Sequence, residues 1–336
     1  NALPPHLVAL LEPSSGLASD IRGEGKAGPQ AAKSGKPSDI PLPARLDALL
    51  AHALRQNSEL GGITFPACEP RRLCLSEATA DDWRLISYAL IPGVRASRLK
   101  YLAHGLQQRR GNLHLVVENI HKPWNVASVC QTIEAFGIQH LHVIESLHTI
   151  TFPDIATTQR DRYHSNPVKF LSMHRYRSTA ECVAALRERG LQIIVSNCPT
   201  DDQTEGNSEV AEHSMSNDKN QASGAIPIEE VDFPACFRSG YSGAALVFGN
   251  EKRGVSSALL KSADVTFYLP MVGITQSFNV GVALGMTLAA VIATGHFPTG
   301  TLHDDEQAEL FGRWLLRESK QLDLRLREAG FDFIDF

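Results

Sequence analysis

Residues 265–293 constrain the fold of this chain more than any other segment does. A short β-rich run, Val265 to Leu269, precedes a polar turn, and an apolar run of small residues follows from Val280 to Ala293. A helix that starts there presents free backbone N–H groups and the short side chains of Ser277 and Asn279. These side chains either cap the helix or bind a ligand, and this segment alone favours the cap.

Two further segments repeat the pattern of a buried strand followed by a polar turn. Residues 245–248 lead into a Gly-Asn-Glu turn, which places the carboxylate of Glu251 directly after a strand. Residues 113–118 lead into a turn around Asn125, and a helix closed by Gly137 follows. Open α/β sheets bind ligands at the carboxyl ends of their strands. Three such units therefore indicate a binding site, because core packing alone does not explain their polar turns.

These three segments, in this order, resemble the three motifs of the SpoU/TrmH branch of the SPOUT RNA methyltransferases, over roughly residues 95–296. The third motif, Pro-Met-x-Gly-x-x-x-Ser-x-Asn-Val-x-Val-Ala from Pro270, is the most specific, and Tyr163-His-Ser-Asn resembles a further step of the pattern. The resemblance implies methyl transfer from S-adenosylmethionine to a ribose 2′-hydroxyl. It also implies an α/β fold with a SPOUT-type trefoil-knotted parallel sheet flanked by helices, an N-terminal helical extension and a C-terminal helix, and a dimer as the working state.

The family pattern, carried over to this sequence, assigns a catalytic set and a cofactor set. The catalytic and RNA-facing residues implied by the resemblance are Asn125, Glu251, Ser277 and Asn279. The cofactor is expected on main-chain and apolar contacts near Ser196, Asn197, Gly249, Leu269, Met271 and Phe278.

One position departs from the family pattern in a way that bears on catalysis. The family carries an arginine, thought to accept the 2′-hydroxyl proton, where this chain has Gln131. An amide cannot titrate, and loss of a positioned general base typically costs on the order of 10²–10⁴ in rate. His121 is a candidate substitute, with a surface or capping histidine as the alternative. Gly281 also replaces a serine-type residue, and its small size can bring the backbone closer to a partner.

Positive charge is local, since the whole chain has a formal charge of −5 and offers phosphate no global attraction. Residues 95–110 contain five Lys or Arg residues and no acidic residue, with leucines at helical spacing. Residues 160–177 form a second basic run with interleaved tyrosines. Each run is either a solvated helix face or an RNA-binding surface, and the motif match favours RNA binding. The predicted RNA contacts are Arg95, Arg98, Lys100, Arg109, Arg110, Lys122, Arg160 and Arg162.

The sequence predicts one methyltransferase domain with attachments, since 336 residues of which 43% are hydrophobic allow a substantial core. Residues 1–43 lack apolar periodicity and are expected to be a flexible extension, while 44–110 are expected to form a helical RNA-binding extension. The SPOUT domain is expected at 111–298 and a C-terminal helix within 299–336. Individual helices are predicted at Leu46–Leu54, Ser76–Leu90, Thr179 onwards and Asp304–Glu328.

An acidic insertion at 200–230 is rich in Asn, Ser and Gln and is expected to be disordered or weakly ordered. It follows the strand expected at Leu191–Ser196, close to the cofactor side of the domain. It serves either as a lid or as a passive spacer, and the spacer is favoured because unstructured insertions are usually tolerated.

The six cysteines form no Cys-x-x-Cys pair and have no histidine at metal-ligand spacing. We therefore predict no metal site, no disulfide framework and a reducing compartment. No apolar run approaches the length of a membrane span, so no membrane association is expected. The chain begins with Asn1, which either a cleaved import presequence or a shortened chain explains. The added N-terminal extension and the acidic insertion favour a mitochondrial location, with cytoplasm or plastid as alternatives.

The predicted function is S-adenosylmethionine-dependent 2′-O-ribose methylation of tRNA or rRNA. Gln131 keeps two alternatives open. One is a catalytically impaired RNA-binding factor for ribosome assembly intermediates. The other is a heterodimer, instead of a homodimer, in which an intact paralogue supplies the arginine. An S-adenosylmethionine-dependent enzyme with a non-RNA substrate is a distant further alternative, and it requires the basic runs to be dispensable.

Overall fold

The computed structural model describes residues 71–146, 167–197, 224–328 and 330–333. The chain divides into two compact units, Arg109–Leu302 and the combination of Asn1–Gln108 with His303–Phe336. Several of the sequence predictions lie outside the described residues, namely the helix at Leu46–Leu54, Arg160, Arg162, the Tyr163 segment, Cys68, Cys198 and insertion residues 200–223.

The described part of the chain contains nine strands and nine α-helices. The strands are β1 (Arg71–Leu73), β2 (Leu113–Glu118), β3 (His140–Ile144), β4 (Ser172–Tyr176), β5 (Leu191–Ser196), β6 (Ile226–Pro227), β7 (Gly243–Phe248), β8 (Val265–Tyr268) and β9 (Phe331–Phe333). The helices are α1 (Ala80–Leu90), α2 (Ala96–Gln107), α3 (Pro123–Ala135), α4 (Thr179–Glu188), α5 (Ala235–Arg238), α6 (Ser257–Ser262), α7 (Val280–Ala293), α8 (Asp304–Glu318) and α9 (Leu322–Glu328).

The larger unit is built on a seven-stranded sheet in the order β4-β3-β2-β7-β5-β8-β6, and every pairing in it is parallel. Strands β2 and β7 are buried along their whole length. Their continuous apolar runs fit this position, because a central parallel strand is covered by helices on both faces. The parallel sheet flanked by helices that the sequence predicted is therefore confirmed. The trefoil knot stays a prediction, since strand order and pairing do not determine it.

Helices cover the two faces of this sheet in two separate apolar clusters. Helices α3 and α7 pack together on one face, where Val129, Ile133, Leu284 and Leu288 are fully buried. Helices α4 and α6 pack on the other face with the opposite side chains of the central strands. The alternation of side chains along the central strands β2, β5 and β7 thus divides each of these strands between two cores.

The edge strand β6 comes from the last residues of the predicted insertion. Ile226 and Pro227 pair in parallel with Phe267 and Tyr268 of β8. The expectation of disorder up to residue 230 was therefore wrong for these residues. Ile226 and Ile228 are partly buried, and Ile228 packs on the main core, so this short stretch has the apolar contact that the sequence around it lacks.

Four histidines and a tyrosine lie side by side on the α4 face of strands β2, β3 and β4. His114 Nδ1 lies 2.9 Å from His142 Nε2, and His142 Nδ1 lies 2.9 Å from the hydroxyl of Tyr176. The rings of His114 and His140 stack at a centroid distance of 4.2 Å, and those of His142 and His174 at 4.6 Å. We call these five residues the histidine cluster.

The hydrogen bonds of the histidine cluster fix its protonation. His114 Nε2 lies 3.0 Å from the carbonyl oxygen of Gly111, which can only accept, so Nε2 carries the proton. In a neutral His114 ring, Nδ1 then accepts from Nε2–H of His142, and His142 Nδ1 accepts from the Tyr176 hydroxyl. A second proton on His114 or His142 would break this chain. Burial, with the neighbouring imidazoles and Arg189 adding to it, lowers the pKa of His114 and of His142 well below the usual value.

The described part of the smaller unit is mainly helical. Its strands β1 and β9 pair in parallel to form a two-stranded sheet. Helix α1 begins with a capping box between Thr79 and Asp82, which is why it begins four residues later than the Ser76 that the sequence predicted. Its buried Trp83 lies under the guanidinium of Arg313 from α8, 4.9 Å from the ring centroid. Helix α1 contacts α8 along its length, and their packing forms the core of this unit.

The predicted single helix from Asp304 to Glu328 is two helices in the structure. Helix α8 ends at Glu318, because Ser319 has extended backbone dihedrals and Gln321 a left-handed φ of 57°. The apolar residues at helical spacing in this segment, which the sequence predicts to face inwards, are buried except for the partly buried Leu322, namely Leu310, Phe311, Trp314, Leu315 and Leu326. Within the described ranges, no helix is long and apolar enough to cross a membrane.

Candidate functional site

The polar turns predicted from sequence meet at one edge of the large sheet. Strands β2, β7, β5 and β8 are consecutive neighbours and parallel, so the turns that follow them share the carboxyl edge of the sheet. The turn after β2 leads into α3, the turn after β7 contains Glu251, and the turn after β8 leads into α7.

A chain of side-chain hydrogen bonds joins the three motifs. The backbone N–H of Gly281 donates to Asn279 Oδ1 over 2.9 Å, and Asn279 Nδ2 donates to Asn125 Oδ1 over 2.8 Å. Asn125 Nδ2 in turn donates to Glu251 Oε1 over 2.8 Å. Each amide is used as donor and acceptor, so neither can rotate without losing a bond. We call this chain the amide relay. The predicted helix cap is therefore present at Asn279, because its oxygen caps α7, and its nitrogen connects that helix to Asn125.

Glu251 ends the amide relay as an ionised carboxylate. Oε1 also accepts from the backbone N–H of Lys122 over 3.2 Å, and the side chain is only 7% exposed. Burial by itself raises the pKa of this carboxyl, but the hydrogen bonds from Asn125 and the backbone, with His121 nearby, outweigh it and lower the pKa below its ordinary value. His121 Nδ1 lies 3.0 Å from Oε2. The relay thus leads from the backbone of α7 to a half-exposed imidazole.

The turn that carries Glu251 is held by Asn250. Its Oδ1 accepts from the backbone N–H groups of Lys252 and Arg253 over 2.9 and 3.1 Å, and its Nδ2 donates to the carbonyl of Asn119 over 2.6 Å. Gly249 is required here, because a Cβ at this position would overlap the backbone of Gly254. Asn250 therefore connects the turn after β7 to the turn after β2. The three residues Gly-Asn-Glu in the sequence did not indicate this role.

Lys252 and Arg253 are exposed beside Glu251, and our residue assignments from sequence omitted them. Their position directly after a Gly-Asn-Glu turn was visible in the sequence as a cationic pair at a strand end. These two cations are exposed next to the Glu251 carboxylate. A third cation, Lys122, has its Nζ 5.9 Å from the ring centroid of Trp124.

The predicted cofactor residues lie on neighbouring strand ends. The backbone N–H of Asn197 donates to the carbonyl of Phe267 over 2.8 Å, which joins the end of β5 to β8, and the Asn197 residue is 4% exposed. Leu269, Met271 and Phe278 are partly buried in the segment that follows β8. Ser196 and Gly249, at the ends of β5 and β7, complete the set. The strand pairing brings these predicted residues to one edge.

Gln131 and Ser277 lie outside the amide relay. Gln131 is exposed on α3, seven residues after the 65% exposed Trp124 and hence on the same helix face. Val282 and Met286 of α7 are 51% and 44% exposed. Ser277 is exposed on the turn before α7. Gln131 thus belongs to an outward face with apolar side chains, not to the relay.

Gly281 sets the distance between α3 and α7. A Cβ added there would overlap the hydroxyl of Ser128 on α3 and lie 3.0 Å from its Cβ. The departure from the family's serine-type residue therefore corresponds to a close helix approach, as the sequence suggested.

The predicted RNA-binding arginines divide into exposed and structural residues. Arg109 is 3% exposed and its Nη2 donates to Glu134 over 2.9 Å, while Arg110 donates to the carbonyls of Phe297 and Phe136. Burial corrects the assignment of Arg109 to RNA, whereas Arg110 is partly exposed and its assignment stays a prediction. The remaining described members are Arg98, which pairs with Glu318 over 2.6 Å, the exposed Arg95 and Lys100, and the partly exposed Lys122.

Within the described residues, no group of three or more His, Cys, Asp or Glu side chains is placed to hold a metal ion. The histidine cluster is not such a group, because its rings stack and bond to one another instead of converging on a point.

Comparison with known proteins places this site in a family. The sequence model of the SpoU rRNA Methylase family matches residues 112–289. The tRNA (guanosine(18)-2′-O)-methyltransferase of Escherichia coli K12 is 24% identical over 194 residues, which cover 57% of this chain and 68% of the relative. The enzyme of the same name from Thermus thermophilus is 25% identical over 192 residues, covering 57% of this chain and 80% of the relative.

The TrmH/SpoU tRNA modifying enzyme of A. aeolicus superposes with a TM-score of 0.48 and 22% identity, over 65% of this chain and 94% of that chain. The family match runs from the residue before β2 into α7, so it includes all members of the amide relay and more than half of the chain. The chain belongs to the SpoU rRNA Methylase family.

Proposed function

We propose that this protein is a TrmH-like 2′-O-ribose methyltransferase that uses S-adenosylmethionine and acts on tRNA or ribosomal RNA. The amide relay carries this proposal, because it fixes Asn125, Glu251 and Asn279 from three separate motifs at one ligand-binding edge of the sheet. The names of the E. coli and T. thermophilus relatives support tRNA as the first substrate to test.

The residues at this edge fit the cofactor. Half-buried apolar side chains, Leu269, Met271 and Phe278, suit its adenine ring and methylene groups, and the buried Asn197 offers an amide. The ionised Glu251 complements a positive charge. When bound, S-adenosylmethionine supplies an electrophilic methyl group on a sulfonium.

The chain's own residues orient the ribose. Asn125 is immobile, because both ends of its amide are bonded within the relay. Asn279 Nδ2 has a second N–H beyond the one given to Asn125, and it is exposed together with the hydroxyl of Ser277. These two groups are placed to bind ribose hydroxyls, and the relay prevents the Asn279 side chain from turning away.

RNA phosphates meet the cations around the Glu251 turn. Lys252 and Arg253 are exposed there, while the relay beneath them is rigid. Replacing both with Gln is expected to lower the slope of log K against log salt by about 2, at about 0.9 per phosphate contact. Arg238→Gln is the matched control, because this exposed arginine precedes β7 and so lies towards the amino edge of the sheet. An unchanged slope in the double variant would remove these cations from the RNA surface.

The working state is proposed to be a dimer built on the outward face of α3 and α7. Trp124, Val282 and Met286 are large apolar side chains with about half or more of their surface exposed, as at a protein interface. Gln131 lies on the same face of α3, so a partner chain would meet it. Met286→Glu should convert a dimer to a monomer in light scattering after size exclusion; a natural chain that is already monomeric would refute the proposal.

In a heterodimer, a paralogue with the family's arginine at the position of Gln131 would supply that arginine at the interface. In a homodimer, the second copy of this chain supplies another Gln131. Mixing with candidate paralogues, followed by mass measurement of the complex, distinguishes a heterodimer from a homodimer.

The second candidate is a catalytically silent RNA-binding factor that acts on ribosome assembly intermediates. Gln131 favours it, because this side chain cannot accept a proton at the position where the family has its arginine. Methyl transfer from labelled S-adenosylmethionine to tRNA and to ribosomal RNA decides between the two. For the enzyme, the natural chain transfers methyl and Asn279→Ala falls by about 10²–10³-fold, as for loss of one orienting hydrogen bond in the transition state.

The silent factor predicts no transfer by the natural chain while RNA still binds. A gain of transfer in Gln131→Arg would show that this residue alone blocks the chemistry. Arg238→Gln again serves as the control, since it leaves both the relay and the Glu251 turn intact. A mitochondrial site of action remains our proposal, and the location of the tagged natural protein in cells tests it.

A further inference from the structure

The proposed reaction releases a proton that needs an acceptor. Methyl transfer to a ribose oxygen requires removal of the 2′-hydroxyl proton, and a positioned base is typically worth about 10²–10⁴ in rate. Gln131 cannot take this proton, and it lies on the outward face of α3, away from the relay. The base therefore has to be sought among the groups that contact Glu251 and the two asparagines.

One titratable group terminates the amide relay at its solvent end. His121 Nδ1 lies 3.0 Å from Glu251 Oε2, and the imidazole is 40% exposed, while the carboxylate is 7% exposed. Within the described residues, Oε2 is buried and forms no hydrogen bond, so its 3.0 Å contact with His121 Nδ1 is an ion-pair contact. Oε1 is already satisfied by Asn125 and by the backbone of Lys122. The geometry thus leaves one carboxylate oxygen directed at one ring nitrogen.

The tautomer of His121 follows from its two neighbours. Asn250 Nδ2 donates to the Asn119 carbonyl at 2.6 Å, and its second N–H lies near the same Nδ1 at the longer distance of 3.4 Å. The carboxylate is closer, is charged and can only accept. We infer a proton on Nδ1, the nitrogen that faces the carboxylate at 3.0 Å, which leaves Nε2 without one. A histidine held in this way by a carboxylate has its second nitrogen available as a base.

We propose that His121, oriented by Glu251, accepts the 2′-hydroxyl proton of the target ribose, an inference that rests on the proposed function. The ribose O–H bond breaks as its proton passes to His121 Nε2. The oxygen's electron pair forms the new O–CH₃ bond, and the methyl–sulfur bond breaks with its pair staying on sulfur. The products are 2′-O-methyl RNA, S-adenosylhomocysteine and a positively charged His121, which then loses its proton to water. Glu251 is a positioning residue here and stabilises the imidazolium.

Other groups near the relay are poorer acceptors. The Glu251 carboxylate is occupied by three contacts, and its basicity is reduced because hydrogen bonds lower its pKa. Lys122, Lys252 and Arg253 are cations that repel an added proton and suit phosphate instead. Asn125 and Asn279 do not titrate. Among the described residues around the relay, His121 is the one imidazole, and its Nε2 faces away from the Nδ1 that contacts Glu251.

The first test is single-turnover methyl transfer at saturating S-adenosylmethionine and RNA, from pH 5.5 to pH 9. His121→Gln retains a side-chain amide but cannot titrate, and it should slow the chemical step by about 10²–10⁴. The affinities for RNA and for S-adenosylmethionine should stay within about threefold, which separates a base from a binding residue. The natural rate should fall as the pH drops, because a protonated base cannot accept the ribose proton, and this acid limb should flatten in His121→Gln. His296→Gln is the matched control, an exposed histidine that bonds only the nearby Thr294.

The second test needs neither substrate nor cofactor. In protein labelled with ¹⁵N-histidine, the His121 ring should show the Nδ1–H tautomer, identified by its absence from the His121→Gln spectrum. Glu251→Gln removes the negative charge and should shift His121 towards the Nε2–H tautomer. A natural ring with its proton on Nε2 overturns the proposal.

The outcomes separate this step from the proposed function. Transfer by the natural chain that survives at full rate in His121→Gln overturns the step and leaves the methyltransferase in place. No transfer by the natural chain to any RNA overturns the proposed function and the step together. A slow His121→Gln with an unchanged acid limb also counts against the step, because the titrating group is then another one.

Discussion

Acid should destabilise this protein through the histidine cluster, by an amount that the structure allows to be worked out. His114 and His142 are neutral in the fold, and burial lowers the pKa of each well below the ordinary histidine value. Unfolding exposes both rings, so below about pH 6.5 the unfolded chain binds more protons than the folded chain. Stability present above that pH is lost as the pH falls, and the loss continues until the folded-state pKa is reached.

Between pH 7.5 and pH 5.5 each ring contributes a loss of about 1.4 kcal/mol, equal to one unit at 1.36 kcal/mol, for an unfolded pKa of about 6.5. The two rings together contribute about 2.7 kcal/mol. Carboxylates and other histidines add their own terms, so the informative quantity is a difference between proteins. His142→Gln keeps one donor and one acceptor in the chain from Gly111 to Tyr176 but cannot be protonated.

The assay is urea denaturation, followed by circular dichroism at the two pH values and constant ionic strength. The free energies of unfolding are compared only where the slope of the unfolding free energy against urea concentration is the same for all proteins. His142→Gln should lose about 1.4 kcal/mol less than the natural chain on acidification, and His142→Gln with His114→Gln about 2.7 kcal/mol less. The exposed His296→Gln should behave like the natural chain. If His142→Gln and the natural chain lose the same amount, the ring is protonated in the folded state and the neutral-chain argument is wrong.

Two further predictions concern helix packing and thiol reactivity. Gly281→Ala should destabilise the protein by about 1–3 kcal/mol in urea denaturation, because its Cβ would overlap the Ser128 side chain. Ser128→Gly should restore most of that loss in the double variant. If the losses of the two single variants add in the double variant, the close approach of the helices is contradicted. In native protein, iodoacetamide followed by peptide mass spectrometry should modify the partly exposed Cys74 well before Cys130 and Cys182, since burial raises the pKa of each of the latter thiols to about 12; equal labelling would mean that the larger unit opens readily.

The parallel sheet could be predicted from the sequence because short local patterns of apolar and polar residues specify its strands. Continuous apolar strands such as Leu113–Glu118 and Gly243–Phe248, each followed by a polar turn, indicate a parallel sheet with a site at its carboxyl edge. The boundaries of α1 and α8 were less predictable. The capping box at Thr79 and the left-handed Gln321 are single-residue events that apolar periodicity does not detect.

The membership of the site was predictable, but the bonding between its members was not. Asn125, Glu251 and Asn279 could be named from motifs, whereas their order in the amide relay depends on how three turns meet in space. Charge runs were the least reliable guide. Arg109 was assigned to RNA because sequence shows charge and not burial, and the fold uses its guanidinium for an internal bond.

The amide relay also makes the site a late product of chain synthesis. Asn125 bonds Asn279 across 154 positions and Glu251 across 126 positions, so the relay cannot be complete until the chain beyond β8 has emerged and α7 has begun. A chain that stalls or is cut before Asn279 can build several buried strands of the sheet, yet it leaves the Asn125 amide without its donor. Incomplete molecules therefore lack the assembled site. The site is complete only when the turn between β8 and α7 has been synthesised.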